Sequence, residues 1–117
     1  MDTLAREQYC YLTTVGRRTG NPHTIEIWFA MPEDGRSLYM LAGGGDGADW
    51  VKNIRHDPSV QVRIGDRALS GQGRAVTDPS EETLARGLIV AKYYGRREVR
   101  TTGWEATSLP VAVDLAV

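Results

Sequence analysis

The chain is mainly β, a small closed or partly closed antiparallel barrel of about six strands with two or three short helices. Three observations predict this class. Apolar residues recur at alternate positions in 24–31 and again in 60–64, the period of a strand with one face turned inward. The breaks between these segments are short turns such as Glu33-Asp34-Gly35 and Gly65-Asp66-Arg67, which join antiparallel neighbours. Gly71 and Gly73 interrupt the stretch 68–76, where a barrel corner calls for a bend or bulge.

Each element follows in order. The opening Met1-Asp2-Thr3-Leu4-Ala5-Arg6-Glu7 lacks the apolar centre of a signal peptide. Cys10 alternates with Leu12 and reads as a small core residue of the strand that ends at Gly16-Arg17-Arg18-Thr19-Gly20. One long strand follows, with Ile25, Ile27, Phe29 and Met31 on the inner face and Glu26 and Trp28 on the other, toward solvent, a ligand or a partner. An exposed tryptophan there favours an interface. The turn at Glu33-Asp34-Gly35 leads to a strand over 37–42 and completes a hairpin.

A glycine-rich loop, Ala42-Gly43-Gly44-Gly45-Asp46-Gly47, opens a short helix over 48–56, with Asp46 and Asp49 as alternative caps and Trp50 at helical spacing from Ile54. Trp50 either packs on the core or meets a ligand. Strands over 60–64 and 68–76 come next. Asp78-Pro79-Ser80-Glu81 starts a second helix, with Asp78 as cap and Pro79 at the first helical position. Leu84, Leu88 and Ala91 continue one face of it, and Gly95 stops it. The segment from Tyr94 to Ser108 is the one candidate for a mobile lid, and 109–117 is the last strand.

Length and charge bound the function. A chain of 117 residues holds one domain, 1–117, too small for separate cofactor and substrate domains, so a sizeable ligand shares a surface cleft or a subunit interface. The net charge of −1 gives no global basic field and no footprint for nucleic acid. A single cysteine rules out an internal disulfide, and with only His23 and His56 no metal-ligand set is present. No apolar run approaches the ~20 residues of a membrane helix, and the cytoplasm is the default compartment.

Arginines are clustered locally instead. Gly16 and Gly20 allow unusual backbone angles and close approach, while Arg17 and Arg18 present planar donor forks suited to phosphate or carboxylate. A solvated hairpin turn would show the same residues. The glycine loop and the helix after it form a second anion-binding pattern, without the ending of a P-loop or the spacing of a dinucleotide fold. His23, with a pKa near neutrality, either polarises a ligand or merely starts a strand. No nucleophile–base pair or close carboxylate pair stands out.

Together, Leu12-Thr13-Thr14-Val15-Gly16-Arg17-Arg18-Thr19-Gly20, Pro22-His23-Thr24-Ile25-Glu26-Ile27-Trp28-Phe29, Gly43-Gly44-Gly45 with Asp49-Trp50-Val51-Lys52-Asn53-Ile54, and Asp57-Pro58-Ser59-Val60-Gln61-Val62-Arg63-Ile64-Gly65 resemble the deazaflavin-dependent nitroreductase family. That family belongs to the split β-barrel flavin and deazaflavin oxidoreductases, whose fold is that of pyridoxamine-phosphate oxidase. The resemblance covers nearly the whole chain. It implies a split β-barrel homodimer that binds coenzyme F420, or FMN in relatives, and passes a hydride to a quinone, nitroaromatic or enone-like acceptor. It places Arg17, Arg18 and Thr19 at the coenzyme's phosphate or acidic tail, and His23, Thr24, Ile25, Glu26 and Trp28 along the ring. It assigns Ala42, Gly43, Gly44, Gly45, Asp49 and Trp50 to the phosphate and ribityl portion, and Tyr93 or Tyr94 to proton donation. Better-known members carry a longer loop with serine and lysine where this chain has Gly43-Gly44-Gly45-Asp46. An FMN enzyme on the same barrel, and a binding protein without turnover, are the alternative readings.

Overall fold

The described residues, 2–116 of a computed structural model, owe their strands to alternation. In β4 (Ser59–Ile64) Val60, Val62 and Ile64 are buried and the residues between them exposed. In β1 (Cys10–Val15) Cys10, Leu12 and Thr14 point inward. The remaining elements are α1 (Asp2–Ala5), β2 (Pro22–Ile27), β3 (Ser37–Ala42), α2 (Asp49–His56), β5 (Arg67–Ala75), α3 (Pro79–Tyr94), α4 (Trp104–Thr107) and β6 (Leu109–Leu115).

The strands form one six-stranded sheet in the order β2-β1-β4-β5-β6-β3, and every neighbouring pair is antiparallel. Its two edges, β2 and β3, come together beyond the end of β2. There Ala30 and Tyr39 exchange both backbone hydrogen bonds, at 3.0 and 2.8 Å. A single bridge thus joins the edges of a curled sheet, the geometry of a split barrel.

Strand β5 makes the corner. Gly71 and Gln72 pair with β4 on one side and with β6 on the other. A Cβ at Gly71 would stand 2.7 Å from the Asp114 carbonyl oxygen, and one at Gly73 would stand 2.9 Å from Ile54. These glycines therefore admit the close approach of β6 and α2 within a strand that runs unbroken from Arg67 to Ala75, where the sequence pointed to a bend or bulge.

Inside the barrel, Leu12, Phe29, Leu38, Met40, Val62, Ile64 and Val113 pack with Val51 and Ile54 of α2. The outer face of β3 is covered as well, by α3. Tyr39 packs with Ala85, and Leu41 with Ile89, so β3 is buried on both faces. This fixes two departures from the sequence pattern. The strand read over 24–31 ends at Ile27, because the chain must leave β2 to reach β3, although Phe29 still enters the core. The buried stripe of α3 runs through Ala85, Ile89 and Val90, while Leu84 is 45% exposed. Small Ala85 lets the helix sit close on the sheet, which turns Leu84 outward.

Asp78 caps α3, accepting from the Ser80 amide at 3.1 Å, and Gly95 ends it in the left-handed region at φ 65°. Helix α2 starts at Ala48 with no side-chain cap, since Asp46 pairs with Arg55 and Asp49 with Arg17. Among the described residues no helix is long and apolar enough to cross a membrane.

An ionic cluster ties α3 to the sheet. Arg74 grips Glu81 at 2.7 Å and Asp114 at 2.7 Å, Tyr39 donates to Glu81, and Ser37 donates to Asp114. The Arg74 hydrogen bonds hold both carboxyls below their ordinary values of 4.5 and 3.8. A carboxyl with a depressed folded-state pKa adds stability above its unfolded value and loses it as pH falls through the folded one. The melting temperature should therefore hold between neutrality and about pH 5 and drop below about pH 4.5, and Arg74→Gln should lessen that drop in a pH series of thermal melts.

Candidate functional site

The turn between β1 and β2 is built to lie against α2. Gly20 sits at φ 77°, and its amide donates to the Gly16 carbonyl. Gly16 itself has no positive φ. Its role is contact, since a Cβ there would stand 2.8 Å from the His23 ring. On the facing helix Asn53 is 3% exposed and makes the connection. Its Nδ2 donates to buried Thr14 at 3.1 Å, while its Oδ1 accepts from the Arg17 amide at 3.2 Å and from Arg17 Nη1 at 2.9 Å. Arg17 Nη2 reaches the Asp49 carboxylate at 3.2 Å.

The result is a groove of about 600 Å³ between turn, β2 and α2, lined by Gly16, Arg17, Arg18, Thr19, His23, Thr24, Ile25, Asp49, Lys52 and Asn53. Arg17, Arg18 and Lys52 stand there against one carboxylate, Asp49, so the groove carries excess positive charge. Such a surface is suited to an acidic ligand.

Eight residues singled out from the sequence meet in this groove: Gly16, Arg17, Arg18, Thr19, His23, Thr24, Ile25 and Asp49. The others lie elsewhere. Glu26 is exposed and accepts from Tyr11 at 3.0 Å; Ala42 is buried in the core; Trp50 packs half-buried against the core. Gly43 lies under the Trp104 ring, at 3.2 Å from an added Cβ, and Gly45 begins a 3₁₀ turn over Gly45–Gly47.

Trp28 is half-buried, not the exposed interface residue that alternation implied. It lies past the end of β2 and stacks on Tyr93 with centroids 4.1 Å apart, while the rings of Tyr94 and Trp104 meet it edge-on at 6.1 and 5.9 Å. The two tyrosines have different surroundings. The Tyr93 hydroxyl accepts from the Phe29 amide and faces the carbonyls of Gln8 and Phe29, at 2.8 and 3.0 Å, and burial pushes its pKa up to about 12. Tyr94 is 47% exposed, with Arg96 across its ring.

Beside Tyr94 lies a second, open cavity of about 400 Å³, lined by Arg96, Arg100 and 102–105. Glu105, 7% exposed, anchors that segment: it accepts from Arg96 at 2.7 Å and from the Arg100 amide at 2.7 Å. The segment read as a lid thus has an ionic anchor, and α4 gives it regular structure.

Sequence reasoning missed Lys52 and Trp104. Lys52 follows Asp49 by one helical turn and shares its face, a signal available in the sequence. Trp104 had none, because α4 is too short for a periodic pattern.

Residues 2–116 match the F420H(2)-dependent quinone reductase family. Among solved structures, an F420-H2-dependent reductase superposes with a TM-score of 0.67 at 24% identity, over 92% of this chain and 94% of that one. A candidate pyridoxamine 5′-phosphate oxidase from Listeria innocua gives 0.69 at 21% identity, over 97% and 88% of the two chains. A chain whose structure is a domain-swapped dimer gives 0.69 at 22% identity, over 92% and 80%. At these identities the likenesses establish the fold, a split barrel of the pyridoxamine-phosphate-oxidase type. Matched over residues 2–116, nearly its whole length, the chain belongs to the F420H(2)-dependent quinone reductase family.

Proposed function

We propose that this F420-dependent oxidoreductase binds the acidic portion of its coenzyme in the groove between the Gly16–Gly20 turn and α2, and reduces a quinone or nitroaromatic acceptor. When bound in reduced form, the coenzyme supplies a hydride. The observation that carries the reading is the cation excess of the groove, with Arg18 and Lys52 outside any ion pair among the described residues and Arg17 held in place by Asn53.

The donor set fits an acidic coenzyme. Arg17, Arg18, Lys52 and the Thr19 hydroxyl offer charge and hydrogen bonds to phosphate and carboxylate oxygens, while Thr24 and Ile25 give an adjoining wall for the ring. His23, held against Gly16, borders the same wall. Gly43 to Gly45, Asp49 and Trp50 are ascribed a share in seating the phosphate and ribityl portion.

Hydride transfer to a quinone also needs a proton, and Tyr94 is the donor that fits. Its ring is exposed beside the aromatic cluster, whereas the Tyr93 hydroxyl is engaged by backbone groups. Tyr94→Phe should slow turnover about a hundredfold, the lower end for loss of one general acid, with F420 affinity unchanged. Steady-state kinetics beside a binding titration checks this; lost affinity would make Tyr94 part of the coenzyme wall.

Fluorescence titration with F420, and in parallel with FMN, tests the whole reading. Selective micromolar binding of F420 is expected. Selective binding of FMN would keep the barrel and change the chemistry. We also propose a homodimer, supported by the domain-swapped dimer among the similar structures, which sedimentation velocity would detect.

A further inference from the structure

We infer that the cavity beside Tyr94 and Trp104 is the acceptor site and that it selects flat aromatic acceptors carrying one acidic group, with Arg100 as the residue that recognises the acid. The inference rests on the oxidoreductase reading above and adds a substrate class to it.

The cavity, about 400 Å³, is of a size for a two-ring molecule and is separate from the cationic groove: no residue lines both. Its walls combine two chemistries. Tyr94 and Trp104 are two of the four large hydrophobic side chains left exposed among the described residues, at 47% and 38%, and they border the same space. Trp28 meets both rings edge-on, a contact that favours the observed placement of the aromatic wall. Arg96 lies over one face of Tyr94, and the remaining surface of the Tyr94 and Trp104 rings offers contact to a planar guest.

Charge supplies the second half. Arg96 is neutralised by Glu105, which it grips at 2.7 Å and 3.3 Å. Arg100 makes no such direct pair. Its backbone amide holds Glu105 and, after the Arg96 hydrogen bond, its charge helps to lower the Glu105 pKa, yet its guanidinium makes no hydrogen bond or ion pair among the described residues. The cavity therefore holds two guanidiniums against one carboxylate, a net positive charge beside two rings. A guanidinium in that setting prefers a carboxylate or similar oxyanion attached to an aromatic body.

Placement agrees with the chemistry. Gly43, at the end of β3, lies under Trp104, so this cavity adjoins the glycine loop ascribed to the coenzyme. Tyr94, the proposed proton donor, lines it. A quinone held here would receive the hydride and its two electrons that the reduced coenzyme supplies and a proton from Tyr94, which the proton shed by the oxidised coenzyme restores through solvent, and would leave as the hydroquinone.

The test uses the full chain and two pairs of probes. By calorimetry, naphthalene carboxylate should bind at least about tenfold more tightly than naphthalene carboxamide, the gap should close in Arg100→Gln, and saturating F420 should leave it intact. In turnover with F420, a naphthoquinone bearing a propanoate chain should show a KM raised about tenfold by Arg100→Gln, with kcat unchanged and its methyl ester unaffected. Equal binding of the two naphthalene probes, a gap that survives Arg100→Gln, or displacement of naphthalene carboxylate by F420 would each overturn the inference. Failure of F420 to bind the unmodified chain is read in its own titration. It would overturn the oxidoreductase reading and the acceptor role, whatever the naphthalene probes do.

Discussion

Replacing Arg17 and Arg18 together with alanine is expected to weaken F420 binding by at least about tenfold, roughly 1.4 kcal/mol. The two arginines should divide this loss unequally. Arg18 is exposed and forms no ion pair among the described residues, so Arg18→Ala should lower affinity and leave the melting temperature where it is. Arg17 is held by Asn53 and Asp49, so Arg17→Ala removes a groove cation and a tie between the β1–β2 turn and α2. It should lower both affinity and melting temperature. Fluorescence titration and thermal melts on the two single variants and the double variant separate the contributions, and unchanged affinity in the double variant would return the turn to a structural role. The salt dependence of binding gives a second check, because screening weakens an exposed charge contact.

Asn53→Ala should be the most damaging single change at the site. Thr14 and Asn53 are both buried, at 1% and 3% exposure, and each depends on the other for a hydrogen bond. Alanine at 53 leaves the buried Thr14 hydroxyl without that partner, at about 1–3 kcal/mol, and takes the acceptor from the part-buried Arg17 amide, at a smaller cost. A loss of about 2–4 kcal/mol in urea unfolding is expected on that basis. Coenzyme affinity should fall as well, because the Arg17 guanidinium loses the Asn53 Oδ1 contact that orients it. Asn53→Asp keeps an oxygen facing Arg17 and should retain more of the affinity than the alanine variant.

Much of the barrel was legible because alternation is a local property. Val60, Val62 and Ile64 declare β4 without reference to anything else, and Asp78 and Gly95 mark the ends of α3 by chemistry confined to a few residues. What failed was what depends on distant neighbours. Trp28 reads as an exposed strand residue until Tyr93, far along the chain, is seen stacked on it. Leu84 reads as a core residue until the helix is laid on the sheet with Ala85 inward. Asp49 reads as a helix cap until Arg17 reaches across to claim it. At the site, the arginine turn and the start of α2 announced themselves, and their meeting in one groove was implied by the resemblance. Lys52 could have been read from its spacing to Asp49 on α2, whereas the second cavity needed the assembled fold, since nothing in Arg96 to Glu105 forms a periodic pattern.

The order of the sheet has a consequence for how this chain is made. Strand β3 pairs along its length with β6, and only through Ala30 does it touch the strand that precedes it. While the polypeptide emerges from the ribosome, β1, β2, β4 and β5 can zip together as each is synthesised, but Leu38-Tyr39-Met40-Leu41 must wait for Leu109–Leu115, which follow only after β4, β5 and α3. For that interval an apolar strand with bare amides and carbonyls is open to a neighbouring nascent chain. Protein yield should therefore respond to growth temperature and to holding chaperones more strongly than the stability of the finished barrel would imply.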